Sequence, residues 1–397
     1  MELYLQLGHG MMELSRELVR QWGTGGVILS PRDLDREQLA RLGRGLQEMG
    51  AVTAVDPQFY LPRADHHGLT QHTYWPREFE TGAFFDGPQL GTMLARLAEY
   101  NREAACSLHI LPGVYATQVD DDWLSLHDAI IESARQHFPL TSSLQTICLS
   151  SDSLRAEDQI QRVLERAEGW SVGGYYVVPE HPRGRYLVDD PTWLANLLEL
   201  CAGLKLLGTT VICGYCTQQM LCLAVANVDA IASGNWMNVR AFPPEKFRMS
   251  PEEERRTAVW YYCPQALSEF RPAYLDMAFR AGMLDLLRPD PAMGSAYANA
   301  LFAGAQPSSV VGFRYRNAFT HFLQCLWHQV GSARRSTFRE TVDAHEVGLA
   351  AAENLLDALH EVGVRGQDRD FTDALDANRA AVGALVRARG FVLEREW

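Results

Sequence analysis

No apolar segment of this 397-residue chain approaches the ~20 residues needed to cross a bilayer, and its opening stretch does not join a basic region to an apolar run. A soluble, cytoplasmic protein with no membrane partner is therefore expected. Positive charge is also scarce. With 36 Lys and Arg against 49 Asp and Glu, the formal charge of -13 argues against a general nucleic-acid-coating protein, because phosphate binding relies on cationic side chains. Local basic faces remain open at "RGRY" (183–186) and "SARRSTFR" (332–339), although such clusters are more often solvated surface. Internal repeats and low-complexity tracts are missing. What is present is core material. Hydrophobic residues make up 47% and charged ones 21%, a balance that excludes disorder on composition. The eight cysteines lie mostly inside apolar stretches, which reads as reduced, buried thiols. The length fits two ordinary domains or one large barrel with an appendage.

Up to about residue 245, short apolar runs alternate with helical patterns. The runs are "LYLQLG" (3–8), "GGVILS" (25–30), "AVTAVD" (51–56), "SLHILPG" (107–113), "LQTICLS" (144–150), "WSVGGYYVV" (170–178), "TTVICGY" (209–215) and "VDAIASG" (228–234). Between them, "DREQLARLGRGLQEMG" and "DQIQRVLERAEG" place apolar residues at helical spacing. Eight strands separated by helices predict an α/β fold, a (β/α)8 TIM barrel over residues 1–290. A doubly wound open sheet gives a similar alternation. From about residue 250 no convincing strand follows. "SPEEERRTAVWYY" opens with a Ser-Pro-Glu helix start, and residues 291–397 read as an α-helical C-terminal extension.

In a barrel, chemistry belongs at the carboxyl ends of the strands. Those ends hold His9, Ser30 with Arg32 and Asp33, Asp56, Pro112, Ser150 to Asp152, Tyr175 and Glu180, Tyr215 to Gln218, and Ser233 to Asn238. The loop from 57 to 90 is long, aromatic and histidine-rich, as functional loops tend to be. Asp65, His66, His67 and His72 could join Asp56 around a metal, but ligand sets usually come from rigid elements. No metal and no cofactor are expected; a lid with Tyr74 and Trp75 as stacking surfaces fits the loop better. His9 is either catalytic or a satisfied interior histidine. Cys213, Cys216 and Cys222 read as buried thiols, and His321, Cys325 and His328 as one packed helix face.

"GWSVGGYYVVPE" (169–180) puts two adjacent glycines in an apolar strand. Glycine weakens a strand unless another surface must approach its backbone. The string resembles the G-x-A-I-G-G-L-x-V-G-E strand of the tRNA-guanine transglycosylases, the superfamily of queuine and archaeosine tRNA-ribosyltransferases and of enzymes that insert 7-deazaguanines into DNA. "ICGYCTQQMLCLAVANVDAIASGNWMNVRAF" (212–242) and "EFRPAYLDMAFRAGMLDLL" (269–287) are similar to later segments of that family, in the same order, and "AVDPQFY" is similar to its T-D-S-G-G-F-Q segment.

The resemblance implies a barrel binding a purine or 7-deazapurine base in tRNA or DNA, and pentosyl transfer by base exchange at an N-glycosidic bond. An aspartate attacks C1′ and a second acidic group handles the purine's protons. Asp56 falls where the family's first catalytic aspartate sits. Ala232 stands where the nucleophile belongs, with Ser233 next to it, while Asp229 matches only an earlier aspartate of the motif. A methyl group cannot form the glycosyl ester, so Asp152, Glu180 or Asp33 would have to substitute.

Asp56, Asp152 and His9 are the candidate catalytic residues. Ser150, Ser151, Gly173, Gly174, Tyr175, Glu180, Tyr215, Ser233, Trp236, Asn238 and Arg240 are candidates for binding substrate. The glycine pair leaves room for a flat heterocycle, with Tyr175 to stack on it; alternatively it accommodates a bend or a neighbouring helix. The family's zinc ligands are absent, Cys263 standing alone. Losing nucleophile and zinc together also fits a catalytically inactive barrel serving as a partner subunit or nucleic-acid-positioning module. A third possibility is an unrelated hydrolase or lyase on the same scaffold. The helical tail is suited to pairing, with a second copy or a partner subunit.

Overall fold

The computed structural model describes residues 1–248, 258–310 and 315–397. Its eight parallel strands, in the order β3-β2-β1-β8-β7-β6-β5-β4, make a nearly closed TIM barrel. They are β1 (Glu2–Gln6), β2 (Gly26–Leu29), β3 (Val52–Val55), β4 (His109–Leu111), β5 (Ser143–Leu149), β6 (Gly174–Pro179), β7 (Thr210–Cys213) and β8 (Ala230–Ser233). Each falls within or beside its predicted apolar run. Across the seam between β3 and β4, Thr53 O accepts from Ser107 N (3.1 Å) and Leu108 N (3.2 Å), and the Thr53 hydroxyl donates to Ala105 O at 3.3 Å.

The intervening helices follow from their sequences. In Arg36–Gln47, Asp35 accepts from the Gln38 amide while the Gln38 side chain accepts from Asp35 N, a capping box. In Glu157–Ala167, Ile160, Val163, Leu164 and Ala167 form the buried stripe that a 3.6-residue period requires.

Strand register sorts the side chains into inward and outward sets, because partners at one level point the same way. Gln6 pairs in register with Ile28 and then Ala54, and Tyr176 with Ile212. Tyr176 donates to Gln6 Oε1 across the barrel at 2.8 Å, so both lie inside. Leu5, Ser233 and Tyr175 belong to the outward set.

The C-terminal region is helical, with helices Tyr315–Ala333, Phe338–Glu361 and Thr372–Glu396. The first packs against β1 and against helix Met12–Trp22, where Trp22 and Trp327 stack at 5.4 Å. It thereby serves as the barrel's closing helix. The last lies along helix Pro191–Leu206, tied by Arg389 to Glu199 at 2.5 Å. One expectation fails here. An antiparallel hairpin, β9 (Tyr261–Cys263) and β10 (Ser268–Phe270), follows residue 250, in strands too short for any periodicity to register. Tyr261 and Phe270 join Leu349, Leu356 and Leu359 in a second buried cluster between hairpin and helices. The helix start at 250–252 lies outside the described residues.

A candidate site at the carboxyl end of the barrel

Asp56 directly follows β3 and is fully buried. Pro57 and Gln58 turn the chain, so that Gln58 N donates to Asp56 Oδ1 at 2.9 Å, as Asx turns do. The Tyr60 hydroxyl donates to Oδ2 at 2.7 Å, and the Tyr215 hydroxyl approaches the same oxygen at 3.4 Å. Burial pushes the Asp56 carboxyl up to about 6, against the opposing hydrogen bonds from Tyr60, Gln58 N and Tyr215 and the charge of Arg32. A carboxyl group near neutrality can take or give a proton.

Gln58 and Tyr215 both hold positive φ, 53° and 57°, a sparsely populated region for residues with side chains. Such strain clusters at functional sites. It places the Gln58 amide between Ser30 Oγ (3.0 Å) and Arg32 N, which donates to its Oε1 at 2.8 Å. The Arg32 side chain is only 5% exposed. Its Nη2 meets Asp33 at 3.1 Å, its Nη1 has no partner, and its guanidinium lies 4.9 Å from the Phe247 ring centroid.

Above Asp56 the mouth is packed with rings. Tyr60 meets Phe242 at 4.9 Å and Phe247 at 5.1 Å, and Tyr215 meets Phe242 at 5.3 Å. All four are buried. Beside this plug lies a cleft of about 570 Å³ walled by Tyr60, Phe79, Phe85, Val114, Tyr115 and Leu126, with Arg63 and Arg248 in its lining. The Tyr115 hydroxyl donates to Glu180 Oε2 at 2.6 Å, and Ser151 N donates to the same oxygen at 2.9 Å. Both candidate carboxylates thus reach the cleft through a tyrosine.

The remaining candidates divide. Ser150 caps the helical turn Ser151–Arg155, accepting from Ser153 N at 3.1 Å. Asp152 points away, 86% exposed and 3.7 Å from Arg155. His9 is exposed and contributes only its carbonyl, which accepts from Asn235 Nδ2 (2.9 Å) and Trp236 Nε1 (3.2 Å). Trp236 is covered by Tyr315 and Phe319 of the closing helix, and Asn238 sits half-buried in the turn Met237–Val239. Ser233 faces outward from β8, its buried hydroxyl without a partner.

Arg240 is structural. It donates to Gly234 O at 2.8 Å, pairs with buried Glu269 at 3.3 Å, and lies 3.5 Å from the Phe322 ring centroid; Glu269 is also held by Arg369 at 2.7 Å. Its position at the barrel–extension seam, rather than at the mouth, follows from the closing helix packing over the end of β8.

The glycine pair is the largest correction. β6 begins at Gly174, so Gly173 and Gly174 lie at the amino end of the barrel, opposite Asp56. They are needed for close backbone packing: a Cβ at Gly173 would meet Thr141 O at 2.2 Å, and one at Gly174 would meet Thr210 O at 2.1 Å. No heterocycle at the mouth reaches them. Tyr175 points outward, its hydroxyl on Ala167 O at 3.0 Å and its ring toward Trp170.

The 57–90 loop is likewise packed. Tyr74 and Trp75 are buried, Tyr74 donating to Pro57 O at 3.0 Å, so they offer no stacking surface. His66 caps the turn His67–Thr70, and His72 Nε2 bonds Pro31 O at 2.8 Å. Among the described residues no three His, Cys, Asp or Glu side chains converge as a metal set. Cys213, Cys216 and Cys222 are buried, and His321 packs on Tyr261 with both ring nitrogens bonded. Sequence reasoning missed Gln58, Tyr60, Tyr115, Phe242 and Phe247. The aromatic pair three and four residues after an Asp-Pro turn was the available signal.

No family model and no curated protein matches this chain. Among solved structures it is similar to a thiamine phosphate pyrophosphorylase from Pyrococcus furiosus, at 12% identity and TM-score 0.32 over 62% of this chain and 91% of that one. It is also similar to D-psicose 3-epimerase in the presence of D-fructose, at 9% identity and TM-score 0.30 over 54% and 84%. What the chain itself shows of its kind is architecture, a TIM barrel closed by its own helical extension.

Proposed function

We propose that this chain is a catalytically silent barrel that positions a nucleic acid, holding a flat purine or 7-deazapurine base in the cleft beside Asp56 and leaving any base exchange to a partner subunit. One observation carries the silence. On β8 the inward position where the resemblance puts the nucleophile is Ala232, in register with Tyr4, so that position offers a methyl group and no carboxylate to take a ribose. Base exchange through a covalent intermediate needs that nucleophile, and Asp56, held by Gln58 N, Tyr60 and Tyr215, is placed to donate or accept a proton. The cleft supports binding. Its aromatic and aliphatic walls suit a base, which stacks regardless of sequence, and Arg63 and Arg248 suit the phosphates that flank it.

The test is to incubate the protein with labelled guanine and either tRNA or duplex DNA. No label should enter the nucleic acid and no covalent adduct should survive a denaturing gel; either one would overturn the silent reading. Fluorescence anisotropy with the same tRNA and DNA should show binding that Arg63→Ala with Arg248→Ala weakens about tenfold. Absence of binding to both nucleic acids would end the positioning role.

A further inference from the structure

Phe247 is fully buried, although Glu245 and Arg248 beside it are exposed. It ends the short 3-10 turn Pro244–Phe247. From Pro243 to Arg248 the hydrogen bonds among the described residues are internal: Lys246 N donates to Pro243 O at 2.9 Å, and Arg248 N to Glu245 O at 3.3 Å. Arg248 also pairs loosely with Glu245, at 3.7 Å. Packing of Pro244 and Phe247, rather than hydrogen bonding, therefore fastens this turn to the barrel. A segment held that way opens locally at low cost.

The Phe247 ring lies among groups that also suit a nucleobase. It stands 5.1 Å from Tyr60 and 6.3 Å from Tyr215, edge-on at 84° and 82°, and 5.3 Å from Phe242 at a tilt of 30°. The Arg32 guanidinium is 4.9 Å from its centroid. Aromatic rings and arginine planes are the surfaces on which bases stack. The hydroxyls of the same two tyrosines bond Asp56. A side chain of the protein itself thus fills a slot built for a flat ring, over the one buried acid of the mouth. Tyr60 is shared with the open cleft, and Arg248, the residue after the plugging ring, lines that cleft too.

We propose that Phe247 is an autoinhibitory plug, seated where the base of a bound nucleic acid comes to lie, and that a phosphate held by Arg248 draws it out. The inference rests on the reading that the cleft holds a nucleic acid, and it assigns how entry is controlled. Phe247 and Arg248 are consecutive in one turn, so a pull on the arginine is felt by the ring. With the ring out, Arg32 and Phe242 are left to stack on the incoming base. A site that is competent only while its plug is out has its affinity lowered by the fraction of time spent open.

Fluorescence anisotropy with tRNA and with duplex DNA compares the parent with Phe247→Ala and Phe247→Leu. Binding about tenfold tighter is expected for Phe247→Ala, as for a plug seated roughly nine-tenths of the time, with Phe247→Leu in between. Hydrogen exchange on the parent is the second measurement: peptides covering 242–248 should exchange faster with nucleic acid bound than without it. Exchange there that is unchanged or slowed overturns the plug, and so does a folded Phe247→Ala that binds no tighter than the parent; nucleic-acid binding by the parent stands in both cases. Absence of binding by the parent and both variants overturns the plug and the positioning role together. The exchange measurement needs no variant, so it decides the matter even if neither substitution folds.

Discussion

Tyr176 on the sixth strand donates its hydroxyl to Gln6 on the first at 2.8 Å, a side-chain bond that spans the barrel interior. Among the described residues it is the only bond the Gln6 side chain makes, for Gln6 Nε2 is buried without a partner there. The middle of the barrel is therefore polar but sparsely bonded, directly beneath Asp56.

Tyr176→Phe should cost about 1–3 kcal/mol, because it strands the whole Gln6 amide in a dry interior. Gln6→Leu combined with Tyr176→Phe should cost clearly less than the two single changes added together. Urea unfolding of all four proteins measures the coupling, and strict additivity would refute the cross-barrel bond.

Asp56 gives a pH signature. Its folded pKa, about 6, lies above its ordinary value of 3.8. A carboxyl group shifted this way favours the fold at low pH, and that contribution is lost as pH rises from about 4 through 6. Asp56→Asn stays neutral throughout. The variant should therefore gain on the parent across that window, by up to about 3 kcal/mol, and hold a constant lead above pH 7. Parallel stability curves from pH 4 to 8 would show that Asp56 ionises as easily folded as unfolded.

Arg240 is predicted to be indifferent to ligands and critical to the seam. Arg240→Ala leaves Glu269 buried with Arg369 as its remaining cation, which should cost about 3–5 kcal/mol. Burial tends to raise the Glu269 carboxyl, yet Arg369 and Arg240 together hold it below its ordinary range. The stability this supplies is present above about pH 4.5 and fades as pH falls further, so the variant's deficit should shrink in acid. Thermal unfolding at pH 7 and pH 4 checks both statements; a deficit unchanged by pH would remove the ion pairs from the account.

Much of the scaffold was legible in the sequence. A barrel strand is buried on both sides and reads as a continuous apolar run, which is why all eight runs mark real strands. The same continuity hides where a strand starts and which way each residue points. "WSVGGYYVV" offers no alternation to show that pairing begins at Gly174, and an error of one residue in a strand reverses every side chain. Gly173, Gly174 and Tyr175 were misread for that reason. Asp56 stands at the end of β3 as expected, because a strand end is a reliable landmark. Phe242 and Phe247 follow β8 in an irregular stretch with no period, and only the folded chain brings them over Tyr60 and Tyr215. Arg240 looked like a mouth residue until the closing helix, 75 positions later in the chain at Tyr315, was seen to cover it.

The seam between β3 and β4, stitched by the carbonyl and hydroxyl of Thr53, lacks the continuous ladder that joins β5 to β6. Under heat or denaturant the wall should part along that line first, and amides flanking it should take up deuterium well ahead of those between β5 and β6. The chain segment carrying Asp56 hangs from one lip of this split, so the earliest loosening of the whole molecule would also be the first moment its buried acid meets solvent.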